Sequence, residues 1–163
     1  MGADNQQESL DAKWVVGFTD GEGCFHIAIN QIPEMSLGWQ VLPEFRIVQH
    51  EKDEEVLRKI KDYFGFSDVK VNRSDIHGTR KEFRFRGLEN LNKLVKFFKE
   101  NPLMSEKRKN FEIFSEVIEL MNAKEHLRKE GLDKIAKLIS EMNRKPAIKY
   151  LESSETVCQN SSE

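Results

Sequence analysis
The sequence predicts an α+β fold, ordered helix, two strands, helix, two strands, then further helices. Three observations predict it. Apolar residues recur at helical spacing before Thr19, again over 53–64, and in three stretches between 88 and 143. Apolar and polar residues alternate over 24–32, 39–49, 68–73 and 80–86, the period of half-buried strands. A short stretch of glycines and acids, Gly17-Phe18-Thr19-Asp20-Gly21-Glu22-Gly23, joins the first helix to the first strand.

Each element has its local reasons. Ser9 or Asp11 can cap the first helix, which is expected to run to about Thr19. The glycines after it suggest a tight turn where backbones approach closely or φ turns positive. Pro33, Glu34 and Gly38 mark the connection between the first two strands. Asp53 is placed to cap the second helix, whose Val56, Leu57, Ile60, Tyr63 and Phe64 share a face, and Gly65 stops it. The third and fourth strands bend at Asp75 to Gly78. Helices are expected at about 88–100, 105–123 and 131–143, with Pro102 separating the first two and Gly131 marking a further break. In the last helix, Leu132, Ile135, Ala136, Leu138 and Ile139 form a core stripe.

The 163 residues suffice for one domain, taken as 1–150, followed by a polar, Ser-rich and mobile tail over 151–163. With 38% hydrophobic and 33% charged residues the chain is globular rather than disordered. No apolar run approaches the roughly 20 residues of a membrane span, so no membrane partner is expected. The N-terminus has no charged-then-apolar signal segment, and Cys24 and Cys158 lack metal-ligand spacing. The expectation is a reducing intracellular compartment, cytoplasm or organelle, rather than secretion. A net charge of −2 weighs mildly against nucleic-acid binding, but the distribution of charge matters more than its sum.

That distribution is uneven. Between Val69 and Gly87 six Lys or Arg face two acids. Alternation sorts each strand by face. Phe25, Ile27, Ile29, Val41, Phe45, Ile47, Val69, Val71, Phe83 and Phe85 form an apolar face for the helices. The other face carries His26, Asn30, Gln40, Glu44, Arg46, Lys70, Asn72, Arg80, Glu82, Arg84 and Arg86. Arg pairs well with guanine edges, and Asn or Gln with adenine. A solvated antiparallel face alternates in the same way, so pattern alone leaves both readings open.

The stretch Val15-Val16-Gly17-Phe18-Thr19-Asp20-Gly21-Glu22-Gly23 resembles the LAGLIDADG motif of homing endonucleases. Its pattern is apolar, apolar, Gly, apolar, any residue, Asp, small, acid, Gly. Val16 departs from the family's usual alanine and adds bulk where two such helices would cross. The resemblance covers about residues 10–125 in element order, and implies an αββαββα core whose curved four-stranded antiparallel sheet lies in the DNA major groove. It implies a site-specific endonuclease that cuts both strands of a long pseudo-palindromic DNA and promotes intron mobility. The single motif implies a homodimer about a two-fold axis, packed through the Trp14–Thr19 helix, with Gly17 letting the backbones approach.

The resemblance also assigns roles by position. Glu22 falls on the metal-ligand position, and the Gly21 carbonyl on a second; the implied cofactor is Mg²⁺, or another divalent cation such as Mn²⁺. Asp20 matches the family's structural acid. Gln49 falls where the homodimers encoded in chloroplast introns place a polar residue near the hydrolytic water. Pro102-Leu103-Met104-Ser105-Glu106-Lys107-Arg108-Lys109 matches a basic segment opening a late helix, with Lys107 near the scissile phosphate and Lys109 on DNA. Lys107 also suits a solvated basic helix face. A basic active-site position aligns with Asp53, which looks more like a helix cap, so that role is either absent or moved to Lys52. An RNA splicing maturase and a non-catalytic DNA-binding protein are alternatives on the same fold.

Overall fold
The computed structural model describes residues 9–142 and 149–151. The order is α1 (Ala12–Glu22), β1 (Gly23–Gln31), β2 (Trp39–His50), α2 (Glu54–Phe64), β3 (Asp68–Asp75), β4 (Gly78–Phe85), α3 (Leu88–Glu100), α4 (Lys107–Asn122) and α5 (Lys129–Ser140), with short 3-10 turns at Glu51–Asp53 and Glu125–Leu127. The expected αββαββα core is present. The tail over 152–163, with Cys158, lies outside the described residues.

The four strands form one antiparallel sheet in the order β1-β2-β4-β3. Its helix-side face is built as the alternation requires: Phe25, Ile27, Ile29, Val41, Phe45, Ile47, Phe83 and Phe85 are buried. Phe25 meets Phe45 from β2, Phe98 from α3, and Phe111 and Phe114 from α4, with ring centroids 4.9–5.7 Å apart. A second aromatic group joins Phe64 to Phe66, Phe83, Phe85 and Phe97 at 5.2–6.4 Å. A fully buried ring such as Phe45 or Phe83 contributes about 1.5–3 kcal/mol. The stripe on α5 also packs inward: Leu132, Ile135, Ala136 and Ile139 are buried.

Local signals explain several boundaries. Asp11 caps α1, accepting from the Trp14 amide at 2.7 Å. Gly65 ends α2 in the left-handed conformation, φ 75°, where a side chain is disfavoured. Other expectations are corrected. α1 runs three residues beyond Thr19, so both motif acids lie in its last turn. Neither Gly21 nor Gly23 takes a positive φ. Gly23 is needed for space: a Cβ there would sit 2.6 Å from Thr19 Cγ2 and 2.9 Å from its carbonyl oxygen. Gly131 does not break a helix. It lies in the first turn of α5, where a Cβ would come within 2.1 Å of the Glu125 carbonyl oxygen. Asp53 stands at the start of α2, but its side chain makes no capping hydrogen bond.

Two apolar residues also differ from expectation. Val71 is 55% exposed, because β3 is an edge strand and its register slips between Val71 and Arg73. Val16 is buried in the chain's own core, so its bulk points away from the exposed side of α1. That side carries Lys13, Trp14, Gly17 and Gly21. No helix among the described residues is long and apolar enough to cross a membrane.

Candidate active site and nucleic-acid interface
The last turn of α1 is where the chain gathers its polar chemistry. A helix end leaves carbonyls without intrahelical partners, and its dipole disfavours acids there. Two long-range contacts offset that cost. Lys107, opening α4, donates from Nζ to the carbonyls of Thr19 and Asp20, each at 2.9 Å. The Asp20 carboxylate accepts from the Met104 amide at 2.8 Å, the Ser105 amide at 3.1 Å and the Ser105 hydroxyl at 2.6 Å. Asp20 therefore braces the segment that delivers Lys107.

Both groups titrate away from their ordinary values. Partial burial pushes the Asp20 carboxyl up, but the Ser105 hydroxyl, the amides of Met104 and Ser105 and the charge of Lys107 outweigh it and hold it down. Burial lowers the Lys107 ammonium, more than the nearby Asp20, Cys24 and Glu22 raise it. A partly desolvated lysine of this kind releases its proton more readily than one in water.

Glu22, the final residue of α1, stays exposed. Gln49, near the end of β2, donates from Nε2 to Glu22 Oε2 at 3.0 Å. Gln49 pairs with Lys81 in the register and so shares the parity of Ile47 and Phe45, on the helix side of the sheet. The structure thus brings Glu22, Gln49 and Lys107 to one end of α1, with Gly21 in the same turn. Glu22 and Lys107 line a common hollow with Cys24, His26 and Asn110. Asn110, one turn beyond Lys107, escaped the sequence reading; its i+3 spacing was the available signal. Cys24 forms no disulfide among the described residues.

The outer sheet face assembles the predicted reading residues. The register sets Asn30 beside Gln40, Cys24 beside Arg46, and Arg46 beside Arg84. His26 lies opposite Glu44, and Lys70 opposite Glu82. Asn72 reaches the same face and donates to Glu82 at 2.8 Å. Arg86 donates to Glu44 at 2.9 Å. Arg80 Nη1 is buried with no hydrogen-bond partner among the described residues. Lys109 is not on the sheet; it stands on α4, ion-paired with Glu106 at 2.9 Å. Sequence reasoning missed the part played by the two acids of this face, Glu44 and Glu82, which are buried.

Residues 15–118 match the LAGLIDADG endonuclease family. The chain belongs to that family. Its curated relatives include the probable intron-encoded endonuclease 3 of Neurospora crassa, 32% identical over 135 residues, which cover 80% of this chain and 24% of that protein. The chain thus spans about a quarter of the length of this relative. Among solved structures, the homing endonuclease I-TnaI is similar at 41% identity and a TM-score of 0.83, covering 91% of this chain and 99% of that one. I-SmaMI, solved bound to an uncleaved DNA target in the presence of calcium ions, is 33% identical with a TM-score of 0.77, over 82% of this chain and 45% of that one. The LAGLIDADG fold expected from the motif is therefore the fold observed, and LAGLIDADG nucleases use divalent metal ions. The motif acids occupy the last turn of the LAGLIDADG helix, and the Arg-rich sheet face is that of a family whose solved members include DNA complexes.

Proposed function
We propose that this chain is one half of a homing endonuclease that makes a double-strand break in a long pseudo-palindromic DNA and promotes intron mobility. The observation that carries the reading is the convergence of exposed Glu22, its Gln49 partner and half-buried Lys107 at the end of α1. The other half is a second copy of the chain, docked through the outer side of α1. Trp14 is 40% exposed there and stacks on Phe18 at 4.9 Å, while a Cβ on Gly17 or Gly21 would meet nothing within 4 Å. A flat aromatic pair beside two glycines suits the close approach of another helix.

The donor set fits a hard divalent cation only in part. Among the described residues no three His, Cys, Asp or Glu cluster together. Mg²⁺ favours oxygen ligands and usually keeps few carboxylates alongside phosphate and water. One chain would offer Glu22 and the Gly21 carbonyl, and the second copy's carboxylate and the DNA phosphates would complete the set. Held there, a divalent ion would supply a bound water of lowered pKa and positive charge at the phosphate. Gln49 fixes the Glu22 carboxylate through one oxygen. Lys107 holds positive charge in a partly water-excluded place and can give a proton to a leaving oxygen. An intracellular reducing compartment suits the free Cys24.

The test is cleavage of pooled intron-insertion-site DNA with Mg²⁺, Mn²⁺ or Ca²⁺. Discrete double-strand products with Mg²⁺ are expected, and binding without cutting with Ca²⁺. Binding with no cutting in any metal would favour the non-catalytic alternative, and affinity for intron RNA without DNA cleavage the maturase.

A further inference from the structure
The sheet's outer face should be its solvated side, yet it buries two carboxylates. Glu44 is 5% exposed and Glu82 1% exposed. Burying a carboxylate is costly unless it is paired and hydrogen-bonded. Both are satisfied by side chains of the same face. Arg86 reaches Glu44 Oε2 with Nε at 2.9 Å and Nη2 at 2.8 Å. Arg46 Nη1 lies 3.7 Å from Glu44 Oε1. Arg84 bridges the two acids, pairing with Glu82 Oε1 through Nη2 and standing 3.8 Å from Glu44 Oε2 through Nη1. Asn72 takes the remaining Glu82 oxygen. The arginine side chains keep 31%, 32% and 51% of their surface exposed for Arg46, Arg84 and Arg86.

We infer that Glu44 and Glu82 are positioning residues for base recognition, and that they set specificity by holding these arginines by one edge. The inference rests on the DNA-cutting reading of the fold. A guanidinium has five donors in a rigid fork, so one edge can bind a carboxylate while another faces the groove. Fixing it removes the rotamers with which a free arginine would reach a phosphate. The two acids also cancel two of the three positive charges, so the cluster grips the backbone weakly. Held arginines read guanine; loose ones bind any sequence.

The two consequences have opposite signs, which separates positioning from mere support of the fold. Binding is measured for the full chain in Ca²⁺ against its target and a panel of single-base-pair variants, over a range of salt. Glu82→Gln is expected to lose discrimination on the order of tenfold at the base pairs where Arg84→Ala also loses it. It is expected at the same time to bind non-target DNA more tightly, with a salt slope steeper by about one. Glu44→Gln shifts preference at the pairs sensitive to Arg46→Ala or Arg86→Ala. Arg84→Lys keeps the charge but cannot bridge two acids, and loses the same preference as Glu82→Gln; it carries the test if the glutamine variants do not fold. A selective wild type whose preferences survive in these variants, or variants that weaken all sequences equally, overturn the inference alone. A wild type without sequence preference overturns the nuclease reading and the inference together.

Discussion
Asp20 and Ser105 are 85 residues apart in sequence, yet the Asp20 carboxylate accepts both the amide and the hydroxyl of Ser105. This contact joins the motif helix to the segment that opens α4. It fixes the approach of Lys107, whose ammonium then covers the helix's terminal carbonyls. The second motif acid, Glu22, stays exposed and accepts from Gln49, while the first is engaged in bracing.

Replacing Asp20 by Asn should therefore cost stability and activity together. Loss of the capping-type bonds is expected to lower unfolding free energy by about 1 kcal/mol. The pH dependence has a definite sign. The folded Asp20 carboxyl titrates below its ordinary value, so its stabilisation is present above the unfolded pKa of about 3.9 and fades as pH falls through the folded value. Thermal melts of wild type and Asp20→Asn should differ at pH 6 and converge in acid. A constant difference down to strongly acidic pH would assign the effect to packing instead.

Lys107→Met tests whether the half-buried ammonium takes part in catalysis. Cleavage is expected to fall by roughly 100-fold or more, the ordinary contribution of a positioned proton donor. DNA binding in Ca²⁺ should stay close to wild type, since the ammonium faces the helix end. Equal losses of binding and cutting would make it a phosphate anchor.

Gly23→Ala addresses the joint between α1 and β1. The added methyl would meet Thr19 and, at 3.1 Å, the Phe45 ring. Overpacking of this kind costs about 1–3 kcal/mol. Denaturant unfolding should show a lowered midpoint. An unchanged midpoint would mean that the turn opens without strain.

Much of this was legible in the sequence. Asp11 capping α1, Gly65 ending α2 and the inward row Phe25, Ile27, Ile29 follow from local rules and period alone. What was not legible depends on partners distant in sequence. The helix continues past Thr19 because Lys107 and the Ser105 segment, far along the chain, satisfy its last turn. Glu44 is buried because Arg86, 42 residues on, closes over it. Gly131 reads as a helix break until its closeness to the Glu125 carbonyl is known. Val71 alternates correctly, but nothing local reveals that its strand is an edge with a slipped register. Of the candidate site, Glu22 is legible in the motif, and Gln49 and Lys107 by resemblance to family positions outside it; that Gln49 bonds directly to Glu22 requires the fold.

Gly17→Lys tests the proposed dimer. A long charged side chain on the exposed side of α1 would stand where a second helix must approach. Sedimentation should show wild type as a dimer and Gly17→Lys as a monomer with an intact fold, and cleavage should be lost. A wild-type monomer that still cuts both strands would contradict the two-copy arrangement.

The most direct measurement is single-turnover cleavage by Glu22→Gln on a target the wild type cuts, with binding followed in parallel. Glutamine keeps the size of the side chain and removes the charge. Wild-type affinity in Ca²⁺ and no cleavage with Mg²⁺ are expected. Retained cleavage would contradict it outright, and lost binding would show that Glu22 serves the DNA interface rather than the hydrolytic step.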